Sequence, residues 1–271
     1  LNAATLTAFA LYLLGLFAIA VLAWQRTRDA TDYALGGRSL GPGVAALSAG
    51  ASDMSGWLLL GLPGAIYLSG LQEGWIVVGL LVGAFANWRL VAAPLRRASS
   101  TPAEGGTAEV GTLTLPGYFT ARLQALDPAT DPRLLLAVRT VATTLILFFF
   151  TFYVASGLVA GARLFESTLG LDYGLALGLG AVVIVAYTVA GGFLAVAWTD
   201  FFQGILMLAA LVAVPVMLFG FDLAPNPEAM RLDAFAELTP LLWLSLVAWG
   251  LGYFGQPHIL ARFMAIESAE A

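Results

Sequence analysis

The chain has 271 residues, of which 60% are hydrophobic and only 11% charged, less than half the charge of an ordinary soluble domain. With no cysteine and a single histidine, His258, it excludes disulfides, thiol catalysis, thiolate metal sites and a histidine-based metal cluster. The net charge of −5 decides little, because in a membrane protein the placement of basic residues outweighs their sum.

Apolar residues fall in blocks near or above the ~18 residues needed to cross a bilayer, so the chain reads as an all-α integral membrane protein. The first block, Thr5 to Trp24, is too long for a signal h-region and lacks a basic n-region, which makes it a span and not a cleaved leader. The blocks predict seven spans, at 5–24, 42–69, 74–95, 134–164, 172–190, 192–219 and 240–264. Ten of the twelve arginines fall on one side: Arg26, Arg28, Arg38, Arg89, Arg96, Arg97, Arg122, Arg133, Arg139 and Arg262. Arg163 and Arg231 fall on the other, among Asp172, Asp222, Glu228, Asp233 and Glu237. The positive-inside rule makes the arginine-rich side cytoplasmic and places the N-terminus outside. Between the third and fourth spans, 98–112 reads as a flexible low-complexity loop. The TLPGYFTARL run after it reads as a short interfacial helix or a plain loop anchor, with Tyr118 and Phe119 against the membrane surface.

Two spans are interrupted near their middles. The second carries Ser48-Ala49-Gly50-Ala51-Ser52-Asp53-Met54-Ser55-Gly56-Trp57, small and hydroxylic residues around a carboxylate. The seventh carries Trp249-Gly250-Leu251-Gly252-Tyr253-Phe254-Gly255-Gln256-Pro257, where three glycines and a proline oppose a continuous helix. Unwound backbone at membrane depth frees carbonyls for a cation and half-helix N-termini for an anion; the plain alternative is close packing through glycines.

A carboxylate at mid-membrane costs about 2.5–3.5 kcal/mol even on the lenient insertion scale, so Asp53 needs a partner. A helix cap, an ion pair and a bound cation all qualify. Asp200, near the cytoplasmic end of the sixth span, reads either as the lining of a polar route or as a hydrogen-bonded structural carboxylate. Arg163 and Glu166 are spaced as an ordinary intrahelical pair. Trp57, Tyr153, Trp249 and Tyr253 share one depth, where such residues are unusual. Together they suit a small amphipathic solute, and singly they suit packing. His258 reads as a structural group, and GASDMSG lacks the elbow of a serine hydrolase.

The first broken span opens a run of five helices and the second follows it, the arrangement of inverted five-helix repeats. One transmembrane domain then divides into a peripheral first helix and loop (1–39), a first five-helix repeat (40–220) and the opening of a second (221–271). On this reading the rest of the second repeat is missing.

At these residues the chain is similar to a known family. ALGGRSLGP (34–42), LSAGASDMSGWLLLGLPGAIYLSG (47–70), ASGLVAGARLFEST (155–168), GGFLAVAWTD (191–200) and WGLGYFGQPHILARFMA (249–265) closely resemble the proline-carrying branch of the sodium/solute symporter family. The resemblance implies a LeuT-like inverted-repeat fold, incomplete here, and sodium-driven uptake of L-proline by alternating access through the bacterial cytoplasmic membrane. It involves no enzyme activity and no nucleic acid. Matched residue by residue, it implies that the carbonyls of Ala51 and Met54 face sodium, with Asp53 in support and Ser55 beside it. It puts substrate contacts at Trp57, Tyr153, Trp249 and Tyr253, with Pro257 shaping the broken helix, and ties Arg38 and Asp200 to ion coupling and the inner pathway. The family's remaining sodium ligands lie beyond Ala271; the 98–112 loop is longer than in relatives, and Gly117 replaces a common acidic residue. Rival readings are a symporter for pantothenate, a short carboxylate or another amino acid, and the membrane input domain of a sensor kinase. An intramembrane enzyme is more remote.

Overall fold

The computed structural model describes residues 3–100, 112–219, 232–236 and 238–270. Most of the expected 98–112 loop, and Asp222, Glu228, Arg231 and Glu237 of the opposite side, lie outside the described residues. Helices dominate what is described, and most begin at a proline or a capping side chain. α1 (Ala3–Arg26) leads into a short α2 (Ala30–Leu35), whose first turn is capped by Asp29 accepting from the Asp32 amide at 2.8 Å. Gly36 and Gly37 turn the chain with φ of 59° and 62°, and Arg38 stays in the left-handed region at 53°. That conformation costs a non-glycine residue about 1–2 kcal/mol, so Arg38 must be held by its contacts.

The second predicted span is α3 (Pro42–Asp53), a π turn at Trp57–Gly61 and α4 (Leu62–Ser69). The third is α5 (Trp75–Asn87), a second π turn at Trp88–Ala92 and α6 (Ala93–Ser100). The TLPGYFTARL run forms α7 (Leu115–Leu126), capped by the Thr114 hydroxyl. α8 (Pro132–Leu169) and α9 (Tyr173–Leu218) are capped by Asp131 and Asp172. α10 (Pro240–Ala248), capped by Thr239, passes into a 3-10 segment at Trp249–Gly255 and then α11 (Pro257–Ala265).

α9 carries one non-helical residue, Gly192, at φ 58° and ψ −149°. Tyr187 and Gln203 line one cavity with Tyr12 of α1, although a straight helix would hold them about 24 Å apart. The element therefore folds back on itself at Gly192, where the sequence separates its fifth and sixth spans. A Cβ there would sit 2.7 Å from the Tyr33 carbonyl oxygen, so both backbone and neighbour demand glycine.

Among the described residues, Ala3–Arg26, Leu71–Ser100, Pro132–Leu169 and Tyr173–Leu218 are long and apolar enough to cross a membrane, and Trp57–Ser69 and Pro240–Gly255 are shorter apolar helices. In α8 only Ala162 is buried, and Phe149 is 64% exposed. A helix that is apolar all round and so little covered needs a hydrocarbon or protein surrounding, not water. Packing is concentrated around α11, where Ile259, Phe263 and Met264 meet Leu35, Leu40 and Leu194. A smaller cluster of Leu62, Ile76 and Leu246 lies beside Trp75, which meets Phe235 and Trp243 edge-on.

Candidate ion and substrate site

α3 stops at Asp53, and Met54 leaves the helix with ψ 81°. The hydrogen bonds around the break show which carbonyls it frees. In a continuous helix Ser55 N–H would bond Ala51 O and Leu58 N–H would bond Met54 O. Instead Ser55 N–H donates to Asp53 O at 2.8 Å, and Leu58 N–H donates to Ser55 Oγ at 3.3 Å. The carbonyls of Ala51 and Met54 thus lose their helical donors. Ser52 O also lacks a helical partner at the break and accepts instead from the Tyr153 hydroxyl of α8 at 2.7 Å.

The second interruption has a different form. Trp249–Gly255 winds as a 3-10 helix, Gln256 is extended, and Pro257 opens α11 at the first helical position, where its missing N–H is harmless to that helix. Gly250 also packs closely on α5: a Cβ on Gly83 would lie 2.1 Å from Gly250 O. Glycine packing and interruption therefore occur together in this segment, and the sequence had posed them as alternatives.

The two interruptions meet. Tyr253 donates its hydroxyl to Asp53 Oδ2, Gln256 approaches the same carboxylate, and Trp57 stacks on Trp249 with ring centroids 4.7 Å apart at 23°. Tyr153 stacks on His258 at 5.3 Å and 26°. Asp53, Trp57, Tyr153, Trp249 and Tyr253 are thereby gathered around one point, with Ala51, Met54 and Ser55 in the break itself and Pro257 just beyond. Asp53 has a hydroxyl partner here and no ion pair among the described residues. The phenols of Tyr153 and Tyr253 are both engaged by the first interruption, so the aromatic set and the ion motif are not two separate clusters.

Asp200 lies apart from this point. Its Oδ2 accepts from Ser48 Oγ at 2.9 Å and pairs with the Arg262 guanidinium. Arg262 also donates to Ser48 Oγ at 2.7 Å and to its own-helix carbonyl, His258 O, at 2.6 Å. Ser48 precedes Asp53 by five residues, about 7.5 Å along α3. These are the contacts of the hydrogen-bonded alternative. Arg262 is 3% exposed; the Asp200 carboxylate and the Ser48 hydroxyl draw its side chain into the protein.

Arg38 lies at neither group. Its guanidinium donates to Ser99 Oγ (3.0 Å), Ser99 O (2.9 Å), Thr112 O (2.9 Å) and Met264 O (3.2 Å). Burial, and then the charge of Arg96, pull its pKa below the ordinary arginine value. Thr112 N–H bonds Ser99 O at 3.0 Å and Leu40 pairs with the 265–267 backbone, so Arg38 fastens α6, α11 and the segment leading into α7 to one loop. Arg163 and Glu166 form the expected i, i+3 pair at 2.7 Å, on the surface.

Sequence reading missed Ser48, Asn87, Gln256 and Arg262 as site neighbours. Ser48, Gln256 and Arg262 lay within quoted motifs, but Asn87 is the one amide in an apolar run, Trp75–Trp88, and was the available signal. It is fully buried.

Comparison with known proteins identifies the family. The model of the sodium:solute symporter family matches residues 33–271. The sodium/proline symporter of Salmonella typhimurium is 49% identical over 97% of this chain and 51% of its own length. The high-affinity proline transporter PutP of Bacillus subtilis is 50% identical over 93% of the chain and 52% of its own length, and a Staphylococcus aureus sodium/proline symporter is 43% identical over 98% and 51%. The chain thus spans about half the length of the curated relatives it matches. No solved structure matches it. With its apolar helices and its match to the family model, the chain is a multi-pass membrane protein and belongs to the sodium:solute symporter family.

Proposed function

We propose that this chain builds the ion-binding part of a symporter that carries L-proline with sodium across the bacterial cytoplasmic membrane by alternating access. The observation that carries the reading is the meeting of two interrupted apolar segments at Asp53 and Tyr253, beside two carbonyls released from helical bonding. Sodium prefers hard oxygen ligands. Ala51 O and Met54 O offer two neutral ones and Asp53 supplies the negative charge. Ser55 keeps the site open, because its hydroxyl occupies the N–H that would otherwise return to Met54 O. The ion is cargo, so a site with a single charge suits it better than a cage of charges. The remaining ligands are expected from the second repeat.

For the substrate, the faces of Trp57 and Trp249 suit the apolar ring of proline, and the hydroxyls of Tyr153 and Tyr253 suit its carboxylate and amine. Pro257 fixes where α11 resumes. The names of the relatives, sodium/proline symporter and proline transporter, support this solute over pantothenate or a short carboxylate. They also point to transport and not to catalysis. Tyr253 links ion to solute, because a ligand that turns the phenol from Asp53 changes the ion's carboxylate, and linkage makes that influence reciprocal. Asp200, with Arg262, and Arg38 act on the inner side, fastening the helices that must part when the site opens to the cytoplasm.

We read the architecture as seven spans of a LeuT-like fold, with span one peripheral, spans two to six forming the first repeat, span seven opening the second, and the N-terminus outside. The parallel course of Gly79–Asn87 and Val247–Tyr253 supports it, since spans three and seven then cross in one direction. The test is uptake of labelled proline by the full-length protein in proteoliposomes. A sodium gradient is expected to drive uptake that an equal potassium gradient does not, and unlabelled proline is expected to compete far better than pantothenate, short carboxylates or other amino acids. Uptake indifferent to replacing sodium would contradict the reading.

A further inference from the structure

Asn87 stands out among the side chains that the transport reading leaves without a role. It is a polar residue with no exposure at all, on a helix whose neighbouring positions are apolar. Its Nδ2 donates to Tyr253 O at 3.0 Å, while its Oδ1 has no partner among the described residues. A buried amide with one half unsatisfied costs stability, so packing alone does not account for it.

The carbonyl it meets is special for a reason written in the sequence. The residue four positions after Tyr253 is Pro257, which has no N–H to give. Gln256, three positions on, is extended with φ −76° and ψ 108°. Neither helical donor serves Tyr253 O, and Asn87 supplies one from another span. The register that brings it there follows from helix geometry. Gly79, Gly83 and Asn87 recur every four residues on α5, and a Cβ on Gly79 would lie 2.3 Å from Val247 O and one on Gly83 2.1 Å from Gly250 O. Four α-helical residues rise about 6 Å and three 3-10 residues also rise about 6 Å. Positions 79, 83 and 87 therefore stay in step with 247, 250 and 253. α5 is a straight ruler against which the seventh span is held in its tighter winding.

We propose that Asn87 is a positioning residue of the symport site: it replaces the N–H that Pro257 lacks, holds the 3-10 segment at Tyr253, and so aims the Tyr253 hydroxyl at Asp53. The two small glycines before it set the distance and the amide sets the end point. Asn87 itself touches neither ion nor solute. The proposal rests on the sodium–proline reading above.

The experiment is a double-mutant cycle on sodium-driven proline uptake by the full-length protein, with Asn87→Leu, Tyr253→Phe and both together. Asn87→Leu, which keeps the branching and heavy-atom count but is bulkier and has no donor, is expected to raise the half-saturating concentrations of proline and of sodium about tenfold. The maximal rate per molecule in the membrane is expected to stay near the parent's. In the Tyr253→Phe background the same change is expected to add less than threefold, because the hydroxyl being aimed is gone. Equal penalties in both backgrounds, or an Asn87→Leu protein within twofold of the parent, overturn the proposal. Should Asn87→Leu fail to accumulate, Asn87→Ala, smaller and without a donor, takes its place in the same cycle under the same criteria. A parent that takes up no proline with sodium contradicts the transport reading instead, so the two failures are told apart.

Discussion

Asp53 sits where an apolar span is cut, with a phenol on one oxygen and two freed carbonyls nearby. The sequence showed the carboxylate and the small residues around it, and so showed that something must compensate the charge. It could not show that the partner is a tyrosine two hundred positions away. For the same reason it treated Tyr253 as substrate-facing only. Tyr253→Phe is therefore expected to weaken sodium and proline together, by roughly five- to tenfold each in uptake titrations; an effect on proline alone would detach the phenol from the ion site. Ser55→Ala is expected to let Leu58 N–H return to Met54 O, closing the turn and weakening sodium by several-fold with little change in abundance. Arg262 was the least legible residue, because nothing local distinguishes it from the other inner arginines until Asp200 and Ser48 fold against it. Breaking a buried pair costs about 3–5 kcal/mol, whereas removing both charges costs less. Asp200→Asn or Arg262→Gln alone should accordingly lower the Tm of the full-length protein in detergent more than the double variant does. A double variant as unstable as the sum of the two would deny the pairing.

The interruptions were readable in the helices because glycine, proline and hydroxylic residues mark them chemically. Their internal form was not readable. The π turns at Trp57–Gly61 and Trp88–Ala92 and the 3-10 winding at Trp249–Gly255 follow from contacts between spans, and no local propensity names them. The Gly191-Gly192 pair is an intermediate case: it divided the fifth and sixth spans in the sequence, and the structure reduces that division to one residue of glycine-only geometry. Gly192→Ala combines a disfavoured backbone with a Cβ 2.7 Å from Tyr33 O. It is expected to destabilise the protein by roughly 2–4 kcal/mol, seen as a lower Tm or reduced accumulation in the membrane. An unchanged Tm would mean that the turn at Gly192 tolerates a left-handed alanine and that Tyr33 moves aside.

For the whole molecule, composition alone fixed the environment: long apolar blocks with few charges leave no watery surface for helices such as α8. The order of the apolar helices was legible from block boundaries, and the arginines argue for one orientation, but which helices pack together was not legible. The absence of cysteine from this chain makes the orientation directly measurable by single-cysteine labelling in a cysteine-free full-length background. Thr168→Cys, after the fourth span, should react with a membrane-impermeant maleimide on intact cells, and Ala129→Cys, before it, only once the membrane is opened; the reverse would place the N-terminus inside. The central claim, however, is that Asp53 and the carbonyls released beside it hold the sodium ion. It is tested most directly by sodium binding to the purified full-length protein without proline, comparing the parent with Asp53→Asn. Loss of the charge is expected to raise the half-saturating sodium concentration at least about tenfold while the protein stays folded, and an unchanged sodium titration in a folded Asp53→Asn protein would contradict it.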